Sequence, residues 1–486
     1  MRIAVAHESD AAEPRVAATP ETVKKMIGLG AEVAVEPGAG TKSGILDSDY
    51  KDAGANVTAD ALDGADIVLM VRRPDLAMLS KLKKGAFVIA IMDPYGHDDA
   101  LRAMAQAGVA AFAMELLPRI TRAQGMDVLS SQANLAGYRA VIDAAAEFGR
   151  ALPMMMTAAG TVPATRVFIM GAGVAGLQAI ATARRLGAVV TATDVRPAAK
   201  EQVESLGAKF IAVEDEEFKA AETAAGYAKE MSKEYQAKQA ALVADHIKKQ
   251  DIVITTALIP GRPAPRLISK DMVESMRPGS VIVDLAVERG GNVEGVQPDA
   301  VADDKGVKII GYRNVPGRLA ATASSLYAKN LYAFLEILID KKTKALAVNW
   351  DDDIVKATAL TRDGAICIRV SRRKARRSLL PLPVCGERSS EARVRGPLRD
   401  SEQRVHSSTA QATDRPPHPN PLPTKGRGIN KRRLSWSPFR SSPRSTPWRR
   451  QRRARRRRAA RSSIRSCSGC RFSCWPYSSA TTWCGR

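Results

Sequence analysis

The chain has 486 residues, of which 74 are basic and 51 acidic, and its formal net charge is +23. Residues 369–486 hold 31 of the basic and 5 of the acidic residues, so residues 1–368 carry a net charge of −3. That near-neutral part is not expected to bind nucleic acid or a membrane surface through its charge. All six cysteines lie at or after Cys367, so disulfides cannot stabilise the first 366 residues. No apolar run has the length of a signal peptide or a membrane span, so secretion and an integral membrane location are not expected.

The first 130 residues alternate between strand-like and helix-like segments. Thr19 is the predicted N-cap of a helix over 20–29, with Pro20 at its first position, and a helix over 98–107 ends at Gly108. Apolar strands are predicted at 3–6, 32–35, 67–71, 87–92 and 109–114. This alternation predicts a parallel sheet covered by helices.

A second α/β unit follows a predicted amphipathic helix over 132–150, which bridges the two halves. Residues 216–249 are long, polar and rich in alanine, and they are predicted to hold a mobile loop as well as a helix. A second long helix is predicted over 320–338, returning the chain to the first half. Strands are predicted at 166–170, 189–193, 209–212, 251–255, 280–284 and 307–310.

The predicted fold class is therefore α/β, with two Rossmann-like, doubly wound parallel-sheet domains joined by long helices. The N-terminal domain is expected at 1–131, completed by 318–366. The linking helix and the second Rossmann-like domain are expected at 132–317. Residues 367–486 lack periodicity and have few aliphatic residues, so a disordered, Arg-rich tail is expected there.

A glycine motif carries the strongest local signal. Gly171, Gly173 and Gly176 form G-x-G-x-x-G after an apolar strand and at the start of an apolar helix. The first glycine permits a tight turn, the second lets the backbone approach a pyrophosphate, and the third lets helix and strand pack closely. The helix N-terminus, with Val174 and Ala175, offers free N–H groups to phosphates. The pattern favours dinucleotide binding over a glycine-rich turn in a sheet without a ligand.

Asp194 ends the following strand, 23 residues after Gly171. A carboxylate at this place accepts hydrogen bonds from the adenosine ribose and repels a 2′-phosphate, which favours NAD(H) over NADP(H). Val195 and Arg196 continue the turn. Arg196 either binds a 2′-phosphate or is a solvated loop charge, and the second interpretation is preferred.

A polar loop precedes the linking helix. Its candidates for a binding groove between the domains are Arg119, Arg122, Gln124, Asp127, Ser130 and Ser131. The alternative is an ordinary polar loop in which Asp127 or Ser130 lies near a helix cap.

Two later turns lie at strand C-termini, where open α/β sheets bind ligands. The first holds Thr256, Ala257 and Leu258, and the second holds Asp284, Leu285 and Glu288. Asp284 either lines the groove or caps a turn, and Glu288 either lines it or is solvated. No metal site is predicted in the body, because His7, His97 and His246 lie far apart in the sequence.

Taken together, several long segments resemble the NAD(H)-binding alpha subunit of proton-translocating NAD(P) transhydrogenase, in the alanine dehydrogenase/transhydrogenase family. The resemblance runs from residue 1 to about residue 366. It is carried, in order, by MELLPRITRAQGMDVLSSQANLAGYRAVIDAA, MMMTAAGTVPATRVFIMGAGVAGLQAIATARRLGA, TTALIPGRPAP, MRPGSVIVDLAVERGGN, NVPGR and TRDGAI.

The resemblance implies roles for individual residues. Arg119, Gln124, Asp127 and Ser130 would orient the nicotinamide and its carboxamide, with Gln124 nearest the transfer path. Tyr227 would cover the cofactor from the mobile loop, and Asn314 lies in the NVPGR segment of the cofactor groove. Family members often have serine where this chain has Gly125, which is predicted to loosen the loop modestly.

The resemblance also implies an activity and partners. NADH bound to this chain would pass a hydride directly to NADP⁺ on an NADP-binding beta subunit, because the cofactors carry the chemistry and the protein supplies position. A small membrane alpha-2 subunit would couple the transfer to proton movement. A homodimer, peripheral on the cytoplasmic face of the inner membrane, is expected, and the chain alone should be inactive.

Alanine dehydrogenase is the alternative within the same family. That enzyme requires a lysine and a histidine in the first domain, whereas this chain has Arg72 at the matching lysine position. The strand over 87–92 has no histidine at its end, and His97 is out of register. Arg15 is shared by both families, so it does not discriminate. No alanine-dependent reduction of NAD is predicted.

The tail suggests a rival function, nucleic-acid binding through the arginine tract at 449–463. No aromatic platform accompanies the tract, so no nucleic-acid partner is expected. The preferred hypothesis is out-of-frame translation. With the reading frame shifted by one base, residues 464–486 can encode an apolar run of membrane-span length that looks like the start of the family's small membrane subunit.

Overall fold

The computed structural model describes residues 1–219, 232–259 and 261–367, and these residues belong to one compact unit. The expected tail beyond Cys367 therefore lies outside the described residues. So does Tyr227, the residue predicted to cover the cofactor.

The N-terminal sheet has six strands, all parallel, in the order β3-β2-β1-β4-β5-β6. The strands are β1 (Arg2–Val5), β2 (Glu32–Val35), β3 (Asn56–Val57), β4 (Ile67–Arg72), β5 (Phe87–Ile91) and β6 (Ala110–Ala113). Helices cover both faces, so the central strands are buried on both sides and their sequences are continuous apolar runs. The strand order reverses between β1 and β4, which is the topological switch point of the sheet.

Four helices connect these strands. They are α1 (Pro20–Gly28), α2 (Asp47–Asp52), α3 (Leu76–Leu79) and α4 (Asp98–Gln106). The predicted start of α1 is confirmed, because the Thr19 backbone N–H donates to the Thr22 hydroxyl and the Thr22 N–H donates back to the Thr19 hydroxyl. This reciprocal capping satisfies two N–H groups that the helix itself cannot pair.

The bridging helix α5 (Val128–Glu147) begins four residues before the predicted start at 132 and ends three before the predicted end at 150. Its start is set by Asp127, whose carboxylate accepts the backbone N–H of Ser130 at 2.9 Å. A short hairpin follows, formed by β7 (Met155–Thr157) and β8 (Gly160–Val162), and no strand is predicted from the sequence there.

The second sheet has seven strands in the order β11-β10-β9-β12-β13-β15-β14, and only β14 is antiparallel to its neighbour. The strands are β9 (Arg166–Met170), β10 (Val189–Thr193), β11 (Lys209–Phe210), β12 (Ile252–Thr255), β13 (Val281–Asp284), β14 (Val301–Asp304) and β15 (Val307–Ile310). The helices are α6 (Val174–Arg185), α7 (Ala198–Ser205), α8 (Glu216–Lys219), α9 (Lys233–Ile247) and α10 (Lys270–Glu274). The predicted two-sheet α/β architecture is confirmed.

After the second sheet, α11 (Ala320–Leu338) brings the chain back to the first domain, over the predicted residues. Tyr327 and Phe334 of α11 pack into the core of the first sheet, and the Tyr327 hydroxyl donates to the Met70 carbonyl at 2.8 Å. In contrast, Ala140 and Ala144 of α5 pack into the core of the second sheet. The two long helices therefore connect two separate cores.

Short elements follow α11 in the described part of the chain. They are β16 (Ile339–Asp340), β17 (Ala345–Leu346), α12 (Asp353–Thr358), β18 (Thr361–Arg362) and β19 (Ala365–Ile366). Short 3-10 helices occur at Thr41–Ser43, Met114–Leu116, Thr121–Met126, Val287–Arg289 and Val315–Leu319. Among the helices in the described part of the chain, none combines the length and apolarity that a membrane crossing needs.

Candidate functional site

The glycine turn lies at the carboxyl end of β9, next to the switch point between β9 and β12. Gly171 has φ +105°, a conformation that favours glycine, and a Cβ there would collide with the Thr256 hydroxyl. A Cβ on Gly176 would lie 2.9 Å from the carbonyl carbon of Gly171, so helix and turn pack too closely for any other residue. These contacts match the turn and packing roles predicted for the two glycines.

Gly173 differs from its neighbours, because a Cβ there would meet no atom of the described chain within 4 Å. It is the N-cap of α6 and has no side-chain cap, and Val174 behind it is exposed. The 12-residue helix therefore begins without a side-chain cap, at a residue that has open space beside its Cα. A pyrophosphate fits this arrangement of dipole, donors and free volume.

Asp194 follows β10, and its carboxylate binds the backbone of the glycine turn that follows β9. Its side chain is 8% exposed, and its Oδ2 accepts the backbone N–H of Ala172 at 2.7 Å. The Arg196 guanidinium binds both carboxylate oxygens at 2.9 Å, and the Arg196 backbone N–H adds a further bond. The preferred prediction of a solvated Arg196 is therefore wrong, since this side chain pairs with the carboxylate two residues before it. Val195 lies between them and is exposed.

The turn after β12 is tied to the turn after β13 by a buried amide. Asn292 accepts the Ala257 N–H at 3.1 Å and donates to the Ala257 carbonyl at 2.9 Å. Thr256 donates its hydroxyl proton to the Gly171 carbonyl at 3.0 Å, and Leu258 is exposed at the surface of the turn. Asn292 is absent from the predicted residues, because a single asparagine after two glycines carries no distinctive signal.

Asp284 has the second of its two predicted roles, since it caps the turn after β13. It is fully buried, and its carboxylate accepts the backbone N–H groups of Ala286, Asn292 and Val293 at 2.7–2.9 Å. Burial raises the pKa of Asp284, against the effect of these hydrogen bonds. Because the carboxylate is enclosed by its own turn, it does not line a groove.

The remaining predicted residues of the turn after β13 lie nearer the surface. Leu285 is half-buried, and its N–H donates to the Thr255 carbonyl. Glu288 is not simply solvated, because it accepts the Asn314 N–H at 2.7 Å. Asn314 has φ +45° and donates to the Ala12 carbonyl of the first domain at 3.3 Å.

The polar loop before α5 contains the 3-10 helix Thr121–Met126. Asp127 caps α5 and also accepts the Ser130 hydroxyl at 2.5 Å, so the predicted alternative of a capping pair describes these two residues well. Arg122 pairs with Asp352 at 2.6 Å. Arg119 and Gln124 are exposed, and within the described residues no hydrogen bond engages the Gln124 side-chain amide.

Helix α5 brings this loop and the glycine turn together. A Cβ on Gly137 would lie 2.8 Å from the carbonyl carbon of Ala175 and closer still to its oxygen, so α5 and the first turn of α6 are in tight contact. Asn134 of α5 also donates to Gln178 of α6 at 3.3 Å. From Val128 to Gly137 the helix rises about 14 Å. This rise separates the polar loop at the start of α5 from the point where α5 contacts the glycine turn.

The matches to known proteins cover the same region of the chain. Residues 4–136 match the family described as alanine dehydrogenase/PNT, N-terminal domain. Residues 140–369 match alanine dehydrogenase/PNT, C-terminal domain.

The chain belongs to the alanine dehydrogenase/PNT family. Among its relatives, an NAD(P) transhydrogenase alpha-subunit chain of Rhodospirillum rubrum is 56% identical over 374 residues, covering 75% of this chain and 97% of that protein. The corresponding alpha-subunit chain of Rickettsia prowazekii is 45% identical over 381 residues, covering 77% and 98%. An alanine dehydrogenase of Halomonas elongata is 30% identical over 382 residues, covering 76% and 95%.

Solved structures agree with this grouping. The crystal structure of transhydrogenase from Sinorhizobium meliloti has 63% identity and a TM-score of 0.70, covering 75% of this chain and 100% of that chain. An L-alanine dehydrogenase has 25% identity and a TM-score of 0.65, covering 77% of this chain and 99% of that chain. The resemblance to transhydrogenase alpha subunits within the family is thereby confirmed.

Arg72, predicted from the sequence to occupy the lysine position of alanine dehydrogenase, belongs to a charge cluster around the buried Glu13. Glu13 accepts the Arg15 guanidinium at 2.6 and 2.7 Å and the Arg72 Nε at 2.8 Å. Burial would raise the pKa of Glu13, but the hydrogen bonds and charges of Arg15 and Arg72 outweigh it and lower the pKa to about 2. Glu8 is buried nearby, and burial raises its pKa to about 7 although it accepts the N–H groups of Val71 and Arg72.

Two histidine side chains of the described residues, His97 and His246, have local partners. His97 Nδ1 lies 2.8 Å from the Asp93 carbonyl, and His246 Nε2 lies 2.9 Å from the Thr191 hydroxyl. Over residues 1–219, 232–259 and 261–367, no cluster of three or more histidine, cysteine or acidic side chains could hold a metal ion.

Proposed function

We propose that this chain is the NAD(H)-binding subunit of a proton-translocating NAD(P) transhydrogenase. The glycine turn carries the proposal, because Gly173 leaves open volume at an uncapped helix N-terminus while Gly171 and Gly176 are closely packed. The pyrophosphate is expected at the N–H groups around Gly173, Val174 and Ala175. When bound, NADH supplies the hydride.

The adenosine ribose is proposed to bind Asp194. A carboxylate has about four lone-pair positions, and the bonds from Ala172 and Arg196 already fill them. Two ribose hydroxyls therefore require the Arg196 guanidinium to move aside. That movement leaves a negative charge at the ribose, which favours NAD(H) over NADP(H).

The nicotinamide is proposed to lie against the loop before α5. Arg119, Gln124, Asp127 and Ser130 supply polar groups to orient the ring and its carboxamide, and the exposed Gln124 lies nearest the transfer path. Thr256, Ala257, Leu258, Leu285, Glu288 and Asn314 are proposed to shape the groove between, with Asp284 supporting it from below. The chain positions the nicotinamide ring and excludes water from it, because hydride transfer between two rings requires no side-chain acid or nucleophile.

The acceptor is proposed to be NADP⁺ on an NADP-binding beta subunit, with a small membrane alpha-2 subunit in the same complex. The names of the relatives, which are alpha subunits or portions of them, support an assembly of several chains. A homodimer, peripheral on the cytoplasmic face of the inner membrane, completes the proposal. Nucleotide binding is assigned to residues 132–317, and residues 1–131 with 318–366 form the other wall of the groove.

The tail after residue 366 is proposed to be out-of-frame translation rather than a nucleic-acid-binding segment. The family match ends at residue 369, which supports a break at this point. Sequencing the DNA around codon 366 and mass spectrometry of the expressed protein test the proposal. An intact frame with the full-length protein present would refute it.

The decisive experiment mixes the purified chain with a purified NADP-binding transhydrogenase component. Reduction of an NAD⁺ analogue by NADPH is then followed by absorbance. We expect turnover in the mixture and none with either component alone. A mixture with no rate above its separate components would refute the proposed function.

A further inference from the structure

A buried amide on α11 forms hydrogen bonds to the polar loop before α5, which is proposed to bind the nicotinamide. This amide belongs to Asn330, which is 8% exposed and lies 205 residues after Gly125 of the loop in sequence. Its Nδ2 donates to the Gly125 carbonyl at 2.8 Å, and its Oδ1 accepts the Ser131 hydroxyl at 2.7 Å. The amide of one buried side chain therefore binds two segments, the 3-10 helix before α5 and the first turn of α5.

These two bonds flank the residues assigned to the nicotinamide. Gly125 directly follows Gln124 within the 3-10 helix Thr121–Met126, and Ser131 directly follows Ser130 in the first turn of α5. Glycine has the largest backbone freedom of any residue, so an external contact at Gly125 restricts the peptide next to Gln124 more than it would at another residue. Asn330 supplies that contact, because its bond ends on the Gly125 carbonyl itself.

The asparagine amide supplies both the donor and the acceptor of this pair of bonds. Its NH2 group donates to the Gly125 carbonyl, and its oxygen accepts the Ser131 hydroxyl, which also lies 3.2 Å from the Val128 carbonyl. An aspartate has the same shape, but when ionised it has no proton to donate to a carbonyl. This difference separates the hydrogen bond from the packing of the side chain.

A neighbouring amide provides the comparison. Gln132 is as deeply buried, accepts Arg15 Nη1 at 2.8 Å and donates to the Ala323 carbonyl at 3.2 Å. It ties α5 to the first turn of α11 and donates to the Ser131 hydroxyl at 3.3 Å, but within the described residues no hydrogen bond links its side chain to Gly125 or Gln124 in the 3-10 helix. Its loss therefore disturbs the same helix pair without releasing the Gly125 peptide.

We propose that Asn330 is a positioning residue for hydride transfer, which orients Gln124 by fixing the Gly125 peptide and takes no part in binding the adenosine half of the cofactor. The inference rests on the proposed function. A small displacement of a reacting group lowers the rate far more than it lowers affinity, since transfer depends on the near-attack geometry.

The test uses the full chain with an NADP-binding component and compares wild type, Asn330→Asp, Asn330→Ala and Gln132→Leu. Single-turnover transfer at saturating nucleotides gives the rate. Fluorescence titration gives the affinity for NADH, and displacement of bound NADH gives the affinity for ADP-ribose. For both Asn330 variants we expect a rate about 10- to 100-fold lower. We also expect NADH affinity within about threefold of wild type and unchanged ADP-ribose affinity. Gln132→Leu should lower thermal stability without this selective loss of rate.

Two results would overturn the inference. One is a folded Asn330 variant with the wild-type rate, and the other is a loss of rate that is matched by Gln132→Leu at equal loss of stability. If Asn330→Asp does not fold, Asn330→Ser and Asn330→Ala are compared, and the serine variant, which keeps a donor, should be the faster. A wild-type chain without any transfer would refute the proposed function instead, so the two failures are distinguishable.

Discussion

Gly137 is the position at which a single methyl group should separate the two halves of the site. It lies in the middle of α5, where a Cβ would be 2.8 Å from the carbonyl carbon and 3.0 Å from the Cα of Ala175. These are backbone atoms in the first turn of α6, so no side chain can rotate away to make room. Gly137→Ala should therefore push the glycine turn away from α5.

The magnitude follows from the contact distances. Carbon atoms pack at about 3.5 Å, so the two helices must separate by at least about 0.7 Å, and by more at the oxygen. Overpacking of this kind usually costs about 1–3 kcal/mol of stability. Affinity for NADH should also fall, because the N–H groups proposed to bind the pyrophosphate move with α6. A loss of about 1.4 kcal/mol of binding energy corresponds to a tenfold weaker Kd.

Urea denaturation and NADH fluorescence titration measure the two effects. The matched control is Gly28→Ala at the end of α1, where a Cβ meets nothing within 4 Å. That variant should keep wild-type NADH affinity and be as stable as wild type or up to about 1 kcal/mol more stable. If Gly137→Ala instead has the stability and affinity of wild type, the proposed contact between α5 and α6 does not position the glycine turn.

Three further outcomes are expected. Asp194→Asn should weaken NADH binding by about tenfold, whereas Arg196→Ala should not weaken it; equal losses in the two titrations would contradict the assignment of Asp194 to the ribose. The pKa of Glu8 is raised from 4.5 to about 7, so the folded chain binds more protons than the unfolded chain between these values. Stability should therefore fall by about 3 kcal/mol as pH rises through that window. Glu8→Gln should remove this dependence in urea denaturation at pH 5 and pH 8, and an unchanged slope would contradict it. Alanine should not reduce NAD⁺ with the purified chain, because Arg72 is held by Glu13, and pyruvate formed from alanine in a coupled assay would refute this.

The strands could be predicted from the sequence because they are buried on both faces. Ile67–Val71 and Phe87–Ile91 are continuous apolar runs, and parallel strands under helices require such runs. The hairpin at Met155–Val162 could not be predicted in this way, because its residues are mostly exposed and show no contrast between two faces. The predicted start of α5 is too late, because the residue type of Asp127 suits a binding loop as well as a helix cap.

The candidate site was predictable where its chemistry is local in the sequence. Gly171, Gly173 and Asp194 form a motif within one strand-turn-helix-strand unit, so their types and spacing are enough. Asn330 and Asn292 were not predictable, because each acts through hydrogen bonds to segments distant in sequence. The role of Gly137 could not be predicted either, because the need for glycine at this position comes from its contact with α6.

The most direct test of the central proposal is to follow the transferred hydrogen itself. NADH carrying deuterium in both positions at the reactive carbon is mixed with this chain, an NADP-binding component and NADP⁺, and the NADPH product is analysed by mass spectrometry. We expect the deuterium to appear in NADPH without exchange into water, because the two rings react directly. Loss of the label to solvent, or no labelled NADPH, would contradict the assignment of this chain as the NADH-binding half of a transhydrogenase.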